Sequence, residues 1–203
     1  MPAARHVRQR KPAADLARPP PAKPKQAEPL PTASEMDRRF IQLLDSKLTP
    51  VRKLAKLYGS VTACTTPLEV YVDGSCLNNG RENASAGAGV YWGPNHPWNV
   101  ALRVPDKQTN NRGEVYAILS ALRRAYLDQT LHIWSDSEYA METIAIRAPD
   151  EASQNWKCIN GDLFREIAAL IKARQAAIVI IQVKGHSGNA HNDAADALAK
   201  EGA

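Results

Sequence analysis

The sequence predicts an α/β fold, a mixed five-stranded sheet flanked by helices. Five short segments rich in apolar and β-branched residues lie between positions 68 and 183, and segments with apolar residues at helical spacing separate the later ones. The first three strands follow one another through short connections, which favours antiparallel pairing. Helical crossovers before the fourth and fifth strands favour parallel pairing.

The five predicted strands share alternating or continuous apolar residues bounded by turn-forming residues. They cover residues 68–72, 86–92, 98–104, 131–134 and 177–183. The second and third are joined through a turn at Gly93 and Pro94. The fourth leads directly to Asp136.

Two long helices of the α/β part are predicted by their apolar stripes. In the first, Val115, Ile118, Leu119 and Leu122 form the stripe, which places Glu114 in the first turn. The second helix is predicted from the stripe over residues 163–171.

Residues 1–33 are crowded with proline, alanine, lysine and arginine, so a disordered basic tail is predicted. Their acid-poor start, which bears several arginines, also suits a mitochondrial presequence. Pro2 and Pro12 oppose the amphipathic helix that a presequence forms, and this favours the tail.

Residues 34–66 are predicted to form a short helical segment or linker ahead of the α/β domain at 67–203. Apolar residues at helical spacing follow Ser34, and a second helix starts at Thr49 and Pro50 and stops at Gly59. Two interpretations stay open. The segment is either a helical hairpin that docks on the α/β domain or on a partner, or a marginal amphipathic linker.

The composition bears on partners and compartment. A net charge of +5 and a pI near 9.2 suit a polyanionic partner. Cys64, Cys76 and Cys158 lie far apart, which fits a reducing, intracellular compartment better than a disulfide framework. No apolar run approaches the length of a membrane span, so no membrane partner is expected.

Four carboxylates stand in four separate settings: Asp73, Glu114, Asp136 and Asp196. The first three lie where a predicted strand ends or a helix begins, and such termini can converge on one pocket. Clustered carboxylates repel one another unless a hard divalent cation lies between them, so Mg²⁺ or Mn²⁺ is predicted. Two such ions about 3.5–4 Å apart suit in-line attack of water on a phosphodiester.

Four motifs occur in one order along the chain: Asp73–Cys76, Gly89–Pro94, Gln108–Arg112, and Lys184–Gly188 followed by Asn192 and Asp196. In order and spacing they resemble type 1 ribonuclease H, most closely the cellular eukaryotic form. The resemblance runs from Leu68 to the end of the sequence. It implies a ribonuclease H-like fold and an endonuclease that uses two Mg²⁺ ions, or Mn²⁺, to cut the RNA strand of RNA–DNA hybrids.

The resemblance also implies roles around the cation site. The family's metal-binding carboxylates are matched by Asp73, Glu114, Asp136 and Asp196. His186, in a glycine-flanked loop, is implied to transfer protons and assist product release. Asn192 is expected to anchor this loop or to contact the active site. Asp193 matches a variable position that supports the start of the last helix.

Two further sets of residues match substrate contacts. The first set matches family positions that contact the RNA strand: the Cys76 backbone, Asn79, Asn110 and Asn111. An amide can both donate to and accept from the 2′-hydroxyl, which only RNA has. The DNA strand is matched by a phosphate pocket of Lys107, Thr109 and Asn160 and by the aromatic ring of Tyr139.

Two features depart from the family pattern. Lys107 stands where related sequences tend to have arginine, which keeps the charge but loses the bidentate fork. Residues 147–157 are short and partly acidic where many relatives have a protrusion rich in tryptophan and lysine. Trp156 and Lys157 are candidates to replace that grip, although a lone tryptophan near a helix start is more often a core anchor.

Three functional interpretations stay open. The leading one is a stand-alone, monomeric ribonuclease H in the nucleus or the mitochondrion. A non-catalytic hybrid-binding module is opposed by the complete carboxylate set. The third is the ribonuclease H domain of a retroelement polyprotein.

Overall fold

The structure is a computed structural model that describes residues 48–185 and 188–203. Five strands form one sheet in the order β3-β2-β1-β4-β5. They are β1 Leu68–Leu77, β2 Ser85–Tyr91, β3 Val100–Arg103, β4 Leu131–Ser135 and β5 Ile178–Gln182. The pairs β1–β2 and β2–β3 are antiparallel, whereas β4 runs parallel to β1 and to β5. The predicted mixed sheet is confirmed.

The helices of the described residues are α1 Pro50–Tyr58, α2 Asn110–Arg124, α3 Glu138–Glu142, α4 Ala148–Ser153, α5 Gly161–Ala173 and α6 Ala190–Gly202. A π-helical turn, Thr143–Arg147, joins α3 to α4. Helix α2 starts behind Thr109, whose side chain accepts the Arg112 N–H. Glu114 therefore lies in the second turn. Its predicted place in the first turn is wrong, because the polar residues before it are already helical.

Strand β3 is shorter than predicted because the residues before Val100 close the turn after β2. Asn99 Oδ1 accepts the Trp92 N–H at 2.7 Å, and Asn99 Nδ2 donates to the Gly93 carbonyl at 2.7 Å. These two bonds hold Asn99 in the loop after β2 and not in strand β3, in agreement with the turn predicted at Gly93.

Helices α2 and α6 pack on opposite faces of the sheet. Gly74 of β1 packs against α2, whereas Gly89 of β2 packs against Ala195 of α6. Residues paired across β1 and β2 share a face, so Asp73, which pairs with Gly89, lies on the α6 side. The core includes the fully or almost fully buried Val70, Val72, Ile118, Ile133 and Phe164. Side chains from the layer on each face of the sheet can thus reach the same end of the sheet.

Helix α1 begins and ends where the sequence predicts. Thr49 caps it, Pro50 opens it, and Gly59 closes it with φ 85°. The Tyr58 hydroxyl donates to the Ile144 carbonyl of the π-helical turn at 2.6 Å. Burial raises the pKa of Tyr58. This helix thus contacts the α/β domain, while the choice between a docking helical hairpin and a linker for residues 34–66 stays open.

The helix belongs to the compact unit Lys47–Ala203. The predicted basic tail and the helix predicted behind Ser34 lie outside the described residues. Within those residues, no helix combines the length and apolar character needed to cross a membrane.

Candidate active site

Two of the four predicted carboxylates emerge where β1 and β4 part. The parallel pairing of these strands ends with Tyr71 opposite Trp134. Asp73 and Asp136 each follow this last pair by two residues, so both project on one face at one end of the sheet. Glu114 joins them from α2 and Asp196 from α6. All four line one open cleft of about 230 Å³.

Gly74 allows Glu114 to reach the cleft from the opposite face of the sheet. A Cβ atom at this position would lie 2.1 Å from the Glu114 backbone nitrogen. No side chain fits in that space, so β1 and α2 come into backbone contact only because residue 74 is glycine. The motif that begins at Asp73 therefore positions two of the four acids.

Two donors hold the Glu114 carboxylate. Asn110 Nδ2 donates to Oε1 at 2.7 Å from one turn earlier in α2. The Ser137 hydroxyl donates to Oε2 and also accepts the Ala140 N–H, which caps α3. Asp136 immediately precedes Ser137, so the Ser137–Glu114 hydrogen bond connects the backbone next to Asp136 with the carboxylate of Glu114.

The carboxylates destabilise one another's charged forms. Burial first, and then the charges of Asp136, Asp196 and Glu114, together raise the pKa of Asp73 to about 7. The Gly74 N–H, which donates to Asp73 Oδ1 at 2.7 Å, acts against the rise. Burial also raises the pKa of Glu114, opposed by the Ser137 hydrogen bond. Such a site favours neutralisation by protons or cations.

The donor set fits a hard divalent cation. The cleft offers carboxylate oxygens and the amide of Asn192, whose Oδ1 is buried without a hydrogen-bond partner in the described chain. Oxygen-only ligands are those that Mg²⁺ and Mn²⁺ prefer. Across residues 48–185 and 188–203, no three acidic, histidine or cysteine side chains form a ready-made metal centre. The acids line the open cleft without forming such a centre in the described residues.

Two residues at the start of α6 line this cleft. Asn192 is 3 % exposed, and its expected contact to the active site stays a prediction. Asp193 lies in the first turn of α6, as predicted, and also lines the cleft. The predicted proton-transfer residue His186 lies outside the described residues. A Cβ on Gly185, just before it, would lie 2.6 Å from Asp136 Oδ2.

Lys107 and Asn160, two of the predicted DNA-phosphate residues, line a second cleft. Arg112 also lines this cleft, is 3 % exposed, and donates to both oxygens of Asp162 at 3.0 and 2.7 Å. Its Nη1 also donates to Asn160 Oδ1 at 3.3 Å. Thr109 caps α2 and does not line this cleft.

Tyr139 adjoins the second cleft. Its hydroxyl donates to the Ile159 carbonyl at 2.9 Å and accepts from Asn160 Nδ2 at 3.4 Å. Its ring stands edge-on to Phe164, with centroids 5.7 Å apart. The exposed Ile159 and the half-buried Tyr139 thus form an apolar rim beside Asn160.

The residues predicted to contact RNA gather around the start of α2. Asn79 Oδ1 accepts the Asn110 N–H at 3.4 Å, and Asn111 is exposed. Cys76 Sγ contacts the Gln108 carbonyl at 3.5 Å. Asn110 also lines the carboxylate cleft, so this group adjoins the candidate metal site.

Sequence reasoning missed Arg112, Ser137 and Lys200 as parts of these sites. Lys200 Nζ lies 2.5 Å from Asp196 Oδ2. Its separation of four residues from Asp196 was a usable signal, because such residues share a helix face. Arg112 and Ser137 bind side chains from other parts of the chain, so the local sequence does not reveal these roles.

The sequence matches the RNase H family model over residues 65–203. The chain belongs to the RNase H family. It is 38% identical over 142 residues to Ribonuclease H1 of Mus musculus, an alignment that covers 66% of this chain and 49% of the relative. The chain thus aligns with about half of that relative's length. It is 30% identical over 139 residues to Ribonuclease H of Thiobacillus denitrificans, covering 66% of this chain and 90% of the relative.

A solved structure shares the fold of this RNase H chain. It is that of LC9-RNase H1, a type 1 RNase H with the type 2 active-site motif, with a TM-score of 0.54 and 28% identity. The match covers 68% of this chain and 72% of that chain. The predicted resemblance to type 1 ribonuclease H and the predicted ribonuclease H-like fold are confirmed.

Proposed function

We propose that this chain is a ribonuclease H, a divalent-cation-dependent endonuclease that hydrolyses the RNA strand of RNA–DNA hybrids. The observation that carries the proposal is the convergence of Asp73, Glu114, Asp136 and Asp196 on one cleft in a chain of the RNase H family. Two Mg²⁺ ions are the proposed cofactors, with Mn²⁺ as a substitute. When bound, the ions supply an activated water and neutralise charge on the phosphodiester.

The chain's own residues hold and orient the reacting groups. The four carboxylates are the proposed cation ligands, and Asn192 contributes its unpartnered Oδ1 beside them. Ser137 and Asn110 fix the two oxygens of Glu114. His186 is proposed to move a proton to or from the cleaved ester and to assist product release.

Hybrid recognition is proposed to use both sides of α2. The RNA strand lies near Asn79, Asn110, Asn111 and the Cys76 backbone, where amides read the 2′-hydroxyl. The DNA strand lies across the second cleft, where Lys107 and Asn160 bind a phosphate and Tyr139 packs on deoxyribose. Thr109 supports this cleft by capping the helix that carries Arg112. Trp156 packs against the core, so within residues 147–157 the exposed Lys157 is the proposed contact to the hybrid.

We also propose that the protein acts as a monomer inside the cell, in the nucleus or the mitochondrion. Cys64, Cys76 and Cys158 are free thiols, which suits a reducing compartment. A basic chain suits a polyanionic substrate.

The test is cleavage of an RNA–DNA hybrid labelled on each strand, with RNA duplex and DNA duplex as controls. We expect cuts in the RNA strand of the hybrid alone, with Mg²⁺ present and not with a chelator. Asp136→Asn removes a proposed ligand and should abolish cleavage. Asp193→Asn removes an acid from the same cleft that is not a proposed ligand, and should leave most of the activity.

Two results would contradict the proposal. Tight hybrid binding without cleavage at saturating Mg²⁺ would identify a non-catalytic binding module. Full cleavage by Asp136→Asn at saturating Mg²⁺ would refute the cation-ligand assignment.

A further inference from the structure

Lys200 is the one lysine or arginine among the described residues that line the carboxylate cleft. Its Nζ lies 2.5 Å from Asp196 Oδ2, one helical turn away on α6. The Asp196 side chain is 25 % exposed and that of Lys200 is 58 % exposed. The ammonium group therefore reaches from the solvent onto one of the proposed cation ligands.

The other acids of the cleft also attract this ammonium group. The hydrogen bond to Asp196 raises the pKa of Lys200, and the charges of Asp196, Asp73 and Asp193 raise it further. Lys200 thus neutralises part of the charge that the carboxylates impose on one another. In this respect it does what a divalent cation would do.

The ammonium group and a divalent cation cannot both lie against the same oxygen. An ammonium group and a divalent cation bound to one carboxylate oxygen would lie close together and repel strongly, especially where water is partly excluded. The lysine stem is flexible and its end is exposed, so the ammonium group can turn into solvent without moving α6. Binding of the cation and release of the lysine are therefore linked.

We propose that Lys200 is the counter-ion of the cation-free cleft and competes with divalent cations for Asp196. This inference rests on the proposed function, in which Asp196 is a cation ligand. Lys200 stabilises the charged acids before the cation arrives, and its displacement weakens cation binding. It thereby sets the concentration at which the site fills.

An ordinary helix-surface ion pair makes a different prediction. A pair of this spacing near the end of a helix stabilises the helix, whatever the cleft binds. Its removal lowers the melting temperature and leaves cation affinity unchanged. Affinity for the cation, measured without nucleic acid, therefore separates the two roles.

The experiment compares Lys200→Met, which removes the charge, with Lys200→Arg, which keeps it. Lys172→Met is the matched control, because Lys172 is also exposed in the last turn of a helix but lies outside the cleft. Mg²⁺ binding to each protein is measured by calorimetry and by the Mg²⁺ dependence of thermal unfolding. We expect Lys200→Met to bind Mg²⁺ about fivefold more tightly, as for loss of one competing ion pair. Both other variants should match the unaltered protein.

Several results would overturn the inference. Unchanged or weaker Mg²⁺ binding by Lys200→Met would leave only a helix-surface pair. An equal gain in Lys172→Met would show an effect of net charge alone. If none of the proteins bound Mg²⁺, Lys200 would have no cation to compete with.

Hybrid cleavage measured in parallel separates this inference from the function on which it rests. If the unaltered protein cleaves the hybrid with Mg²⁺ while Lys200→Met binds Mg²⁺ as before, the inference alone fails. If the unaltered protein neither binds Mg²⁺ nor cleaves, the proposed function fails as well.

Discussion

The Ser137 hydroxyl donates to the Glu114 carboxylate and accepts the Ala140 N–H. One side chain therefore caps α3 and orients a proposed cation ligand on α2. Because Asp136 immediately precedes Ser137, the cap also fixes the chain that carries a second ligand. The position of Glu114 in the cleft thus depends on the start of a different helix.

Replacing Ser137 by alanine removes both bonds. We expect Ser137→Ala to lower the free energy of unfolding by about 1 kcal/mol, the usual cost of losing a cap. Hybrid cleavage should fall by about tenfold, or about 1.4 kcal/mol of activation free energy, because Glu114 loses its orientation. Ser137→Thr keeps the hydroxyl and should retain both properties. A loss of stability with full cleavage at low Mg²⁺ would show that the serine only caps the helix.

Asp73→Asn should change the pH dependence of stability as well as abolish cleavage. The pKa of Asp73 is about 7 in the folded protein, whereas an unfolded aspartate titrates at about 3.9. The folded state therefore keeps a proton that the unfolded state loses, and this stability is lost as pH rises from about 4 to about 7. Without metal above pH 7, Asp73→Asn should be more stable than the unaltered protein, by a few kcal/mol at most.

Thermal unfolding from pH 4 to pH 8 in the presence of a chelator checks this prediction. Asp193→Asn is the control, since it removes an acid that lines the same cleft. Parallel profiles for Asp73→Asn and the unaltered protein would contradict it. Mg²⁺ added above pH 7 should stabilise the unaltered protein and have little effect on Asp73→Asn.

His186→Ala is expected to slow cleavage without abolishing it. General acid–base groups contribute about 10²–10⁴-fold, and removal of a cation ligand should cost more. The pH–rate profile should also lose a limb near neutrality, since an unperturbed histidine titrates at about 6.5. Single-turnover and steady-state rates measured across pH test both statements. An unchanged rate and profile would make His186 a loop residue without a catalytic role.

Two truncations separate the basic tail from α1. Deleting residues 1–48 should weaken hybrid binding at low salt, because it removes positive charge, and should preserve turnover. Deleting residues 1–60 also removes the Tyr58 bond to Ile144, and should lower the melting temperature. Tyr58→Phe removes that bond alone, at an expected cost of about 1 kcal/mol. Equal melting temperatures for the two truncations would show that α1 adds nothing to stability.

Local patterns in the sequence were sufficient to find each of the five strands, though not all of their ends, and to place both ends of α1. Alternation from Leu68 to Val72 marks β1, and the Thr49-Pro50 start with the Gly59 stop marks α1. These signals are local because a cap, a turn or a buried stripe involves residues close together in the chain. The four carboxylates were likewise singled out from their short local settings and from their match to the family.

The start of α2 shows where the local signal was insufficient. The apolar stripe begins at Val115, so it placed Glu114 one turn too early in the helix. The Thr109 side chain caps the helix, which therefore starts at Asn110. Between Asn110 and Glu114, Asn110 lines the carboxylate cleft and Arg112 lines the second cleft. A stripe reports the buried face of a helix and leaves its polar start unmarked.

The sequence by itself determined the fold class and the succession of strands along the chain, and it singled out four acids that line one cleft in the structure. Only the tertiary structure decided that Ser137 binds Glu114, that Arg112 binds Asn160 and Asp162, and that Tyr58 donates to the Ile144 carbonyl of the π-helical turn. These partners lie between 23 and 86 residues apart along the chain. Their contacts arise when the helices pack on the sheet, because burial and hydrogen bonding across elements depend on distances in space and leave no periodic trace in the sequence.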